Sequence, residues 1–130
     1  MSVLAVALGA AVGAPCRFLL DRFVQARGRV FPLGLLVVNL LGSLVLGLIV
    51  GFAGRREVPA VLVLGLATGW CGAFTTYSSF GYETVQLGRH RRWWLAWVNV
   101  LATVLGGLAA VALGVVAGEW LATLWPDPGP

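Results

Sequence analysis

The side chains with chemical potential in this sequence are concentrated in one stretch. Gly69 to Glu83 reads GWCGAFTTYSSFGYE, a run of glycine, hydroxyl and aromatic residues set between long apolar segments. Outside it stand Arg17, Asn39 and a pair spaced four apart, Asn99 and Thr103. Nothing here is arranged for bond-breaking. The single histidine, His90, sits in a basic turn, no Ser-His-Asp set exists, and no zinc, haem or dinucleotide motif is present. Cys16 and Cys71 lie in different apolar segments without ligand spacing and read as small packing residues. What such a set can do is hold ions. Main-chain carbonyls released from a helix coordinate a small hard cation. Hydroxyl hydrogens, amide hydrogens and the positive edges of aromatic rings receive an anion.

The elements that present these groups must be membrane helices. The chain has 130 residues, 59% hydrophobic and 11% charged, with a mean hydropathy of +0.91. A soluble domain of this size keeps too much of its area in water to hide that apolar surface. Four apolar runs, 3–20, 31–53, 58–87 and 93–121, match the roughly 20 residues that span a hydrocarbon core about 30 Å thick. The connections DRFVQARGRV, GRRE and GRHRR leave no room for a soluble domain, so residues 1–130 read as one four-helix membrane domain. The first run reads as a span and not a cleaved leader, since MSVLAVALG has no basic residue before its apolar stretch.

All nine basic residues are arginine. Arg17, Arg22, Arg27, Arg29, Arg89, Arg91 and Arg92 fall on the first and third connections or their edge, against Arg55 and Arg56 on the second. Seven against two predicts those two connections in the cytoplasm and both termini outside. The plain use of these arginines is topology and lipid-headgroup contact. A sharper use is a positive vestibule that concentrates an anion.

Small and polar residues recur at i, i+4 in every run: Gly9, Gly13 and Arg17; Asn39, Ser43, Gly47 and Gly51; Gly65, Gly69 and Ala73. The fourth run carries two stripes, Asn99, Thr103 and Gly107 beside Gly106, Ala110, Gly114 and Gly118. Such seams let helices approach closely in lipid, where leaving the bilayer provides little driving force. Asn39 lies well inside the second run, and its amide requires partners. An interhelical hydrogen bond and a pore-lining donor are equally open readings. The third run is 30 residues, longer than one untilted crossing needs, and centres on Gly72 and Ala73. Gly69, Gly72, Thr75, Thr76, Ser78 and Ser79 hold a helix poorly, so a break is expected at mid-depth. Backbone groups freed there must be buried in protein or line a wet cavity or ion site. A glycine-kinked packing helix is the plainer alternative.

The chain resembles the Fluc (CrcB) family of small, four-span bacterial fluoride channels. The resemblance rests on GAAVGAPCRF in the first run, FPLGLLVVNLLGSLVLG in the second and GWCGAFTTYSSFGYET in the third. It implies an antiparallel, dual-topology dimer with two fluoride pathways at the interface. It also implies a structural sodium ion at the dimer centre, held by the carbonyls of Gly72 and Thr75. By the same resemblance, Tyr77 and Phe80 are the pore aromatics, Asn39 faces the pore and Arg17 stands in the vestibule. Ser78 and Ser79 match positions that supply hydroxyls, while Asn99 and Thr103 match a polar track of the fourth span. Tyr77 departs from the usual phenylalanine, keeping the ring edge and adding a hydroxyl. Ser79 stands where threonine is common. The implied activity is passive export of cytoplasmic fluoride across a bacterial plasma membrane by a homodimer, or by a heterodimer with an oppositely oriented paralogue. Membrane lipid is an expected partner, and nucleic acid is not.

Two other classes compete. A small four-helix multidrug antiporter needs a membrane-embedded carboxylate to exchange protons for a cation. The five acids are Asp21, Glu57, Glu83, Glu119 and Asp127, and none sits mid-run. Glu83 is nearest and reads as structural, paired with an arginine. A non-transporting assembly subunit would not need aligned polar groups on three runs.

Overall fold

The computed structural model describes residues 1–25 and 30–125, all in helices and short turns, so that Arg27, Arg29 and Asp127 lie outside the described residues. Helix α1 runs Ser2–Gln25 and α2 Leu33–Arg55. Helix α3, Ala60–Val63, continues through π-helical turns at Leu64–Cys71 into α4, Gly72–Phe74. Helices α5, Tyr77–Arg89, and α6, Trp93–Leu124, complete the chain. Four units, Ser2–Gln25, Leu33–Arg55, Ala60–Arg89 and Trp93–Leu124, are long and apolar enough to cross a membrane. Each overlaps one of the apolar runs and passes its C-terminal end, while Leu33–Arg55 and Ala60–Arg89 begin two residues inside theirs. Pro15 removes one hydrogen bond from α1 on an exposed face without ending the helix.

Two backbone-to-backbone seams hold the spans. Helix α2 packs along α6, and a Cβ at Gly47 or Gly114 would collide with the carbonyl of Val111 or Leu44 on the other helix. Helix α1 packs on the π-helical segment, where Gly9 and Gly13 lie against the carbonyls of Gly65 and Trp70. In lipid this closeness is itself the stabilising term, because dispersion contacts replace the hydrophobic driving force. The π-helical turns have no local signature in the sequence. They lie along the contact with α1.

Most large apolar side chains, such as Leu4, Leu8 and Val12 on α1, point outward. The interior is small: Leu35, Val38, Cys71, Phe74, Leu87, Ala96 and Ala122, with two asparagines, Asn39 and Asn99, buried among them. At one end of the bundle, Val30 shares a recess with His90 and Arg92, so the first and third connections lie together. At the other end, Arg55 pairs with Glu119 at 2.8 Å. Arg56 donates to the carbonyl of Ala122 at 2.8 and 2.6 Å and to that of Trp125. A cationic fork thereby satisfies the last carbonyls of α6, where the helix dipole favours positive charge.

Candidate functional site: the interrupted third span

The third span breaks between Phe74 and Tyr77, slightly after the midpoint of its apolar run. Thr75 (φ −77, ψ 158) and Thr76 (φ −148, ψ 122) are extended. Thr76 then caps α5, its Oγ1 accepting from the Ser79 amide at 3.3 Å. The Thr75 hydroxyl donates back to the Cys71 carbonyl at 2.9 Å. Asn39 holds the break from α2: its Oδ1 accepts from the Thr76 amide at 3.0 Å, and its Nδ2 donates to the Thr76 carbonyl at 3.4 Å.

These bonds decide what becomes of two carbonyls. In an unbroken helix the Gly72 carbonyl accepts from the amide of Thr76, and the Thr75 carbonyl from that of Ser79. The Thr76 amide donates to Asn39 instead, and the Ser79 amide to the Thr76 hydroxyl. Gly72 and Thr75 therefore lose their regular helical donors, as a cation site built from carbonyls requires.

A cavity of about 370 Å³ opens on this face, lined by Asn39, Ser43, Gly72, Tyr77, Phe80 and Thr103 among others. The Tyr77 and Phe80 rings stand 6.0 Å apart at 48°. The Thr103 hydroxyl is buried without a hydrogen-bond partner among the described residues. The cavity is open on one side: Tyr77 is 86% exposed, and a Cβ at Gly72 would meet nothing within 4 Å.

Ser78 and Ser79 turn the other way. They line a second cavity of about 400 Å³ with Arg17, Asp21, Tyr82 and Glu83. Arg17 has its Nε buried there without a hydrogen-bond partner. The arginine pairing expected of Glu83 is absent, since no ion pair forms at Glu83 among the described residues. Asn99 lines neither cavity. It is buried and donates to the Thr84 hydroxyl at 2.9 Å, which donates to the Phe80 carbonyl at 2.7 Å, so α6 anchors the backbone beneath Phe80.

The residue groups read from sequence are thus divided in space. Asn39, Gly72, Thr75, Tyr77, Phe80 and Thr103 share one cavity, Arg17, Ser78 and Ser79 another, and Asn99 supports the first from behind. The hydrogen-bonding roles of Thr76 and Thr84 were not assigned in the sequence, and Cys71, read as a packing residue, is buried and also lines the first cavity. A threonine directly ahead of a helix is a recognisable capping signal for Thr76. Thr84 and Cys71 had no such signal.

Residues 4–115 match the model of the family described as CrcB-like protein, Camphor Resistance (CrcB). Relatives of the chain include a fluoride-specific ion channel FluC 1 from Streptomyces avermitilis, 46% identical over 96% of this chain and 99% of that one. Another FluC 1, from Frankia casuarinae, is 47% identical over 88% and 93%. A fluoride-specific ion channel FluC from Magnetococcus marinus is 45% identical over 92% and 98%. These relatives are named for ion conduction and not for catalysis. With four membrane-capable helices, the interrupted third span and this breadth of similarity, the chain belongs to the CrcB-like family of fluoride-specific ion channels.

Proposed function

We propose that the protein is a fluoride-selective passive channel that carries cytoplasmic fluoride out across the bacterial plasma membrane and so relieves its toxicity. Fluoride enters cells as neutral HF and ionises at neutral pH. An anion pore lets it leave down its gradient without ATP. The observation that supports this reading best is the cavity that Asn39, Thr103, Tyr77 and Phe80 line together. These groups offer partial positive charge without a fixed cation, which suits a small anion that must leave again. A narrow path of this kind favours fluoride over the larger chloride. In the second cavity, Arg17 with Ser78 and Ser79 would offer the anion its donors, beside the carboxylates of Asp21 and Glu83.

The working unit in this proposal is an antiparallel homodimer, with an oppositely oriented paralogue as the other possible partner. The open side of the first cavity, with Tyr77 exposed and free space at Gly72, supports a second subunit as its missing wall. A structural sodium ion between the subunits would be held by the Gly72 and Thr75 carbonyls of the two breaks, at mid-depth in the membrane. Two negative carbonyl ends per subunit would be neutralised there, and the break kept in shape.

Fluoride efflux from proteoliposomes tests the reading. Phe80→Ile is expected to abolish efflux nearly completely while the protein still elutes as a folded dimer. Tyr77→Phe, which keeps the ring edge, is expected to stay within about twofold of the parent, because no hydrogen bond engages the Tyr77 hydroxyl among the described residues. Unchanged efflux in Phe80→Ile would remove the pore assignment.

A further inference from the structure

The two ends of the bundle use their arginines differently. At the α2–α3 end both are occupied by the protein, Arg55 by Glu119 and Arg56 by the carbonyls at the end of α6. At the α5–α6 turn, Arg89, Arg91 and Arg92 are all exposed, and none makes an ion pair or side-chain hydrogen bond among the described residues. Three like charges in four residues repel one another, and among the described residues no acid pairs with any of them.

The turn also has a fixed shape. The Arg91 amide donates to the Gly88 carbonyl and the Arg92 amide to the Leu87 carbonyl, each at 2.9 Å, and Arg91 adopts a left-handed φ of 59. Helix α6 then begins with Trp93, Trp94 and Trp97, which are 65%, 74% and 65% exposed. The Trp93 ring lies against Gly88, so one indole is held over the last turn of α5 beside the arginines. Tryptophan prefers the headgroup depth of a bilayer, where its ring meets apolar chains and its N–H meets polar groups. A recess of about 460 Å³ adjoins the turn, with His90 and Arg92 at its polar side and Val30 and Leu87 at its apolar side. Glu83 on its wall is a single carboxylate against the three arginines.

We propose that the α5–α6 turn with its tryptophans is a docking surface for the headgroups of anionic phospholipids. The phosphate would take the unpaired guanidinium groups, the glycerol region the indoles, and the start of an acyl chain the apolar side of the recess. The occupant is lipid because the charge is unpartnered and set at the junction of a membrane-capable helix with a polar turn, beside interfacial aromatics. The surface does not depend on which ion the protein conducts.

The test is native mass spectrometry of the detergent-solubilised full chain, titrated with phosphatidylglycerol or phosphatidylcholine of matched chains. Each arginine near the surface is worth about fivefold in anionic-lipid affinity. The parent protein is therefore expected to retain phosphatidylglycerol well above fivefold over phosphatidylcholine. The variant Arg89→Gln/Arg91→Asn/Arg92→Gln, whose asparagine tolerates the left-handed turn, should lose that preference. Arg55→Gln should keep it, and Arg92→Gln alone provides a milder step if the triple variant does not fold. A parent without preference, or a triple variant that retains it, overturns the proposal. Fluoride efflux in purely phosphatidylcholine vesicles separates it from an anion vestibule. Equal efflux by parent and triple variant is expected there, and a large loss would assign the arginines to ion entry instead.

Discussion

Asn39 brackets the backbone of Thr76, accepting from its amide at 3.0 Å and donating to its carbonyl at 3.4 Å, across 37 residues of sequence. One side chain thus does for the broken span what a helical neighbour would otherwise do, while lining the cavity that Tyr77 and Phe80 enter. The interhelical hydrogen bond, one of the two readings of the sequence, is formed, and the same residue lines the cavity.

Removing that amide should cost stability as well as conduction. Asn39→Ala leaves the partly buried Thr76 amide without its acceptor, a loss of about 0.5–1.5 kcal/mol. Thermal melting in detergent measures it. Asn39→Asp keeps the acceptor and should melt closer to the parent than alanine does. If alanine melts with the parent, the bracket does not hold the break.

The α2–α6 seam predicts a contrast between two glycines of the same helix. Gly47→Ala drives a Cβ into the Val111 carbonyl and should destabilise by about 1–3 kcal/mol. Gly54→Ala meets nothing within 4 Å and should be neutral or gain up to about 1 kcal/mol from helix propensity. The same melting experiment, read by retention of the folded species after heating, ranks them. Equal melting would mean that the seam yields.

Arg55 and Arg56 are adjacent and should behave unlike each other. The Arg55–Glu119 pair is largely solvent-exposed, so Arg55→Gln is expected to cost about 0–1 kcal/mol. Arg56 makes charge-assisted bonds to the end of α6, and Arg56→Gln should cost about 1.5–3 kcal/mol. Faster amide exchange over the last turn of α6 in Arg56→Gln alone would locate the loss.

The proposed sodium site rests on carbonyls, so the cation should matter more than the side chain. Thr75→Val removes the hydroxyl bond to Cys71 but retains the Thr75 carbonyl. It is expected to conserve sodium-dependent efflux. Replacing sodium by a large organic cation should lower both efflux and dimer stability in parent and variant alike. Indifference to that exchange would show the site to be wrongly placed.

The arginine bias favours termini outside, whereas an antiparallel homodimer needs insertion both ways. In a cysteine-free background, single cysteines at Glu57 and His90 report the second and third connections from outside intact cells. Comparable labelling of both is expected for a self-sufficient homodimer. Labelling at position 57 alone would require an oppositely oriented partner chain.

The sequence by itself determined the four spans, their glycine seams and the neighbourhood of the break. Hydropathy over about 20 residues, i, i+4 spacing and poor helix formers are local properties that act without knowledge of the fold. The motif around Gly72 to Phe80 was legible for the same reason, as a short contiguous run. The tertiary structure decided which side of the break each residue serves. Helix α5 starts at Tyr77 because Thr76 caps it and Asn39, on another helix, holds the Thr76 backbone. That start sets the helical phase. It sends Tyr77 and Phe80, three apart, into one cavity and Ser78 and Ser79 into the other. Asn99 was legible as a polar residue in an apolar helix, yet its bond to Thr84 and through it to Phe80 required the packing of α6 on α5. The bonds from Arg56 to the end of α6 are likewise products of contact between distant segments. No local propensity encodes them, because the groups that favour them meet only when the helices pack.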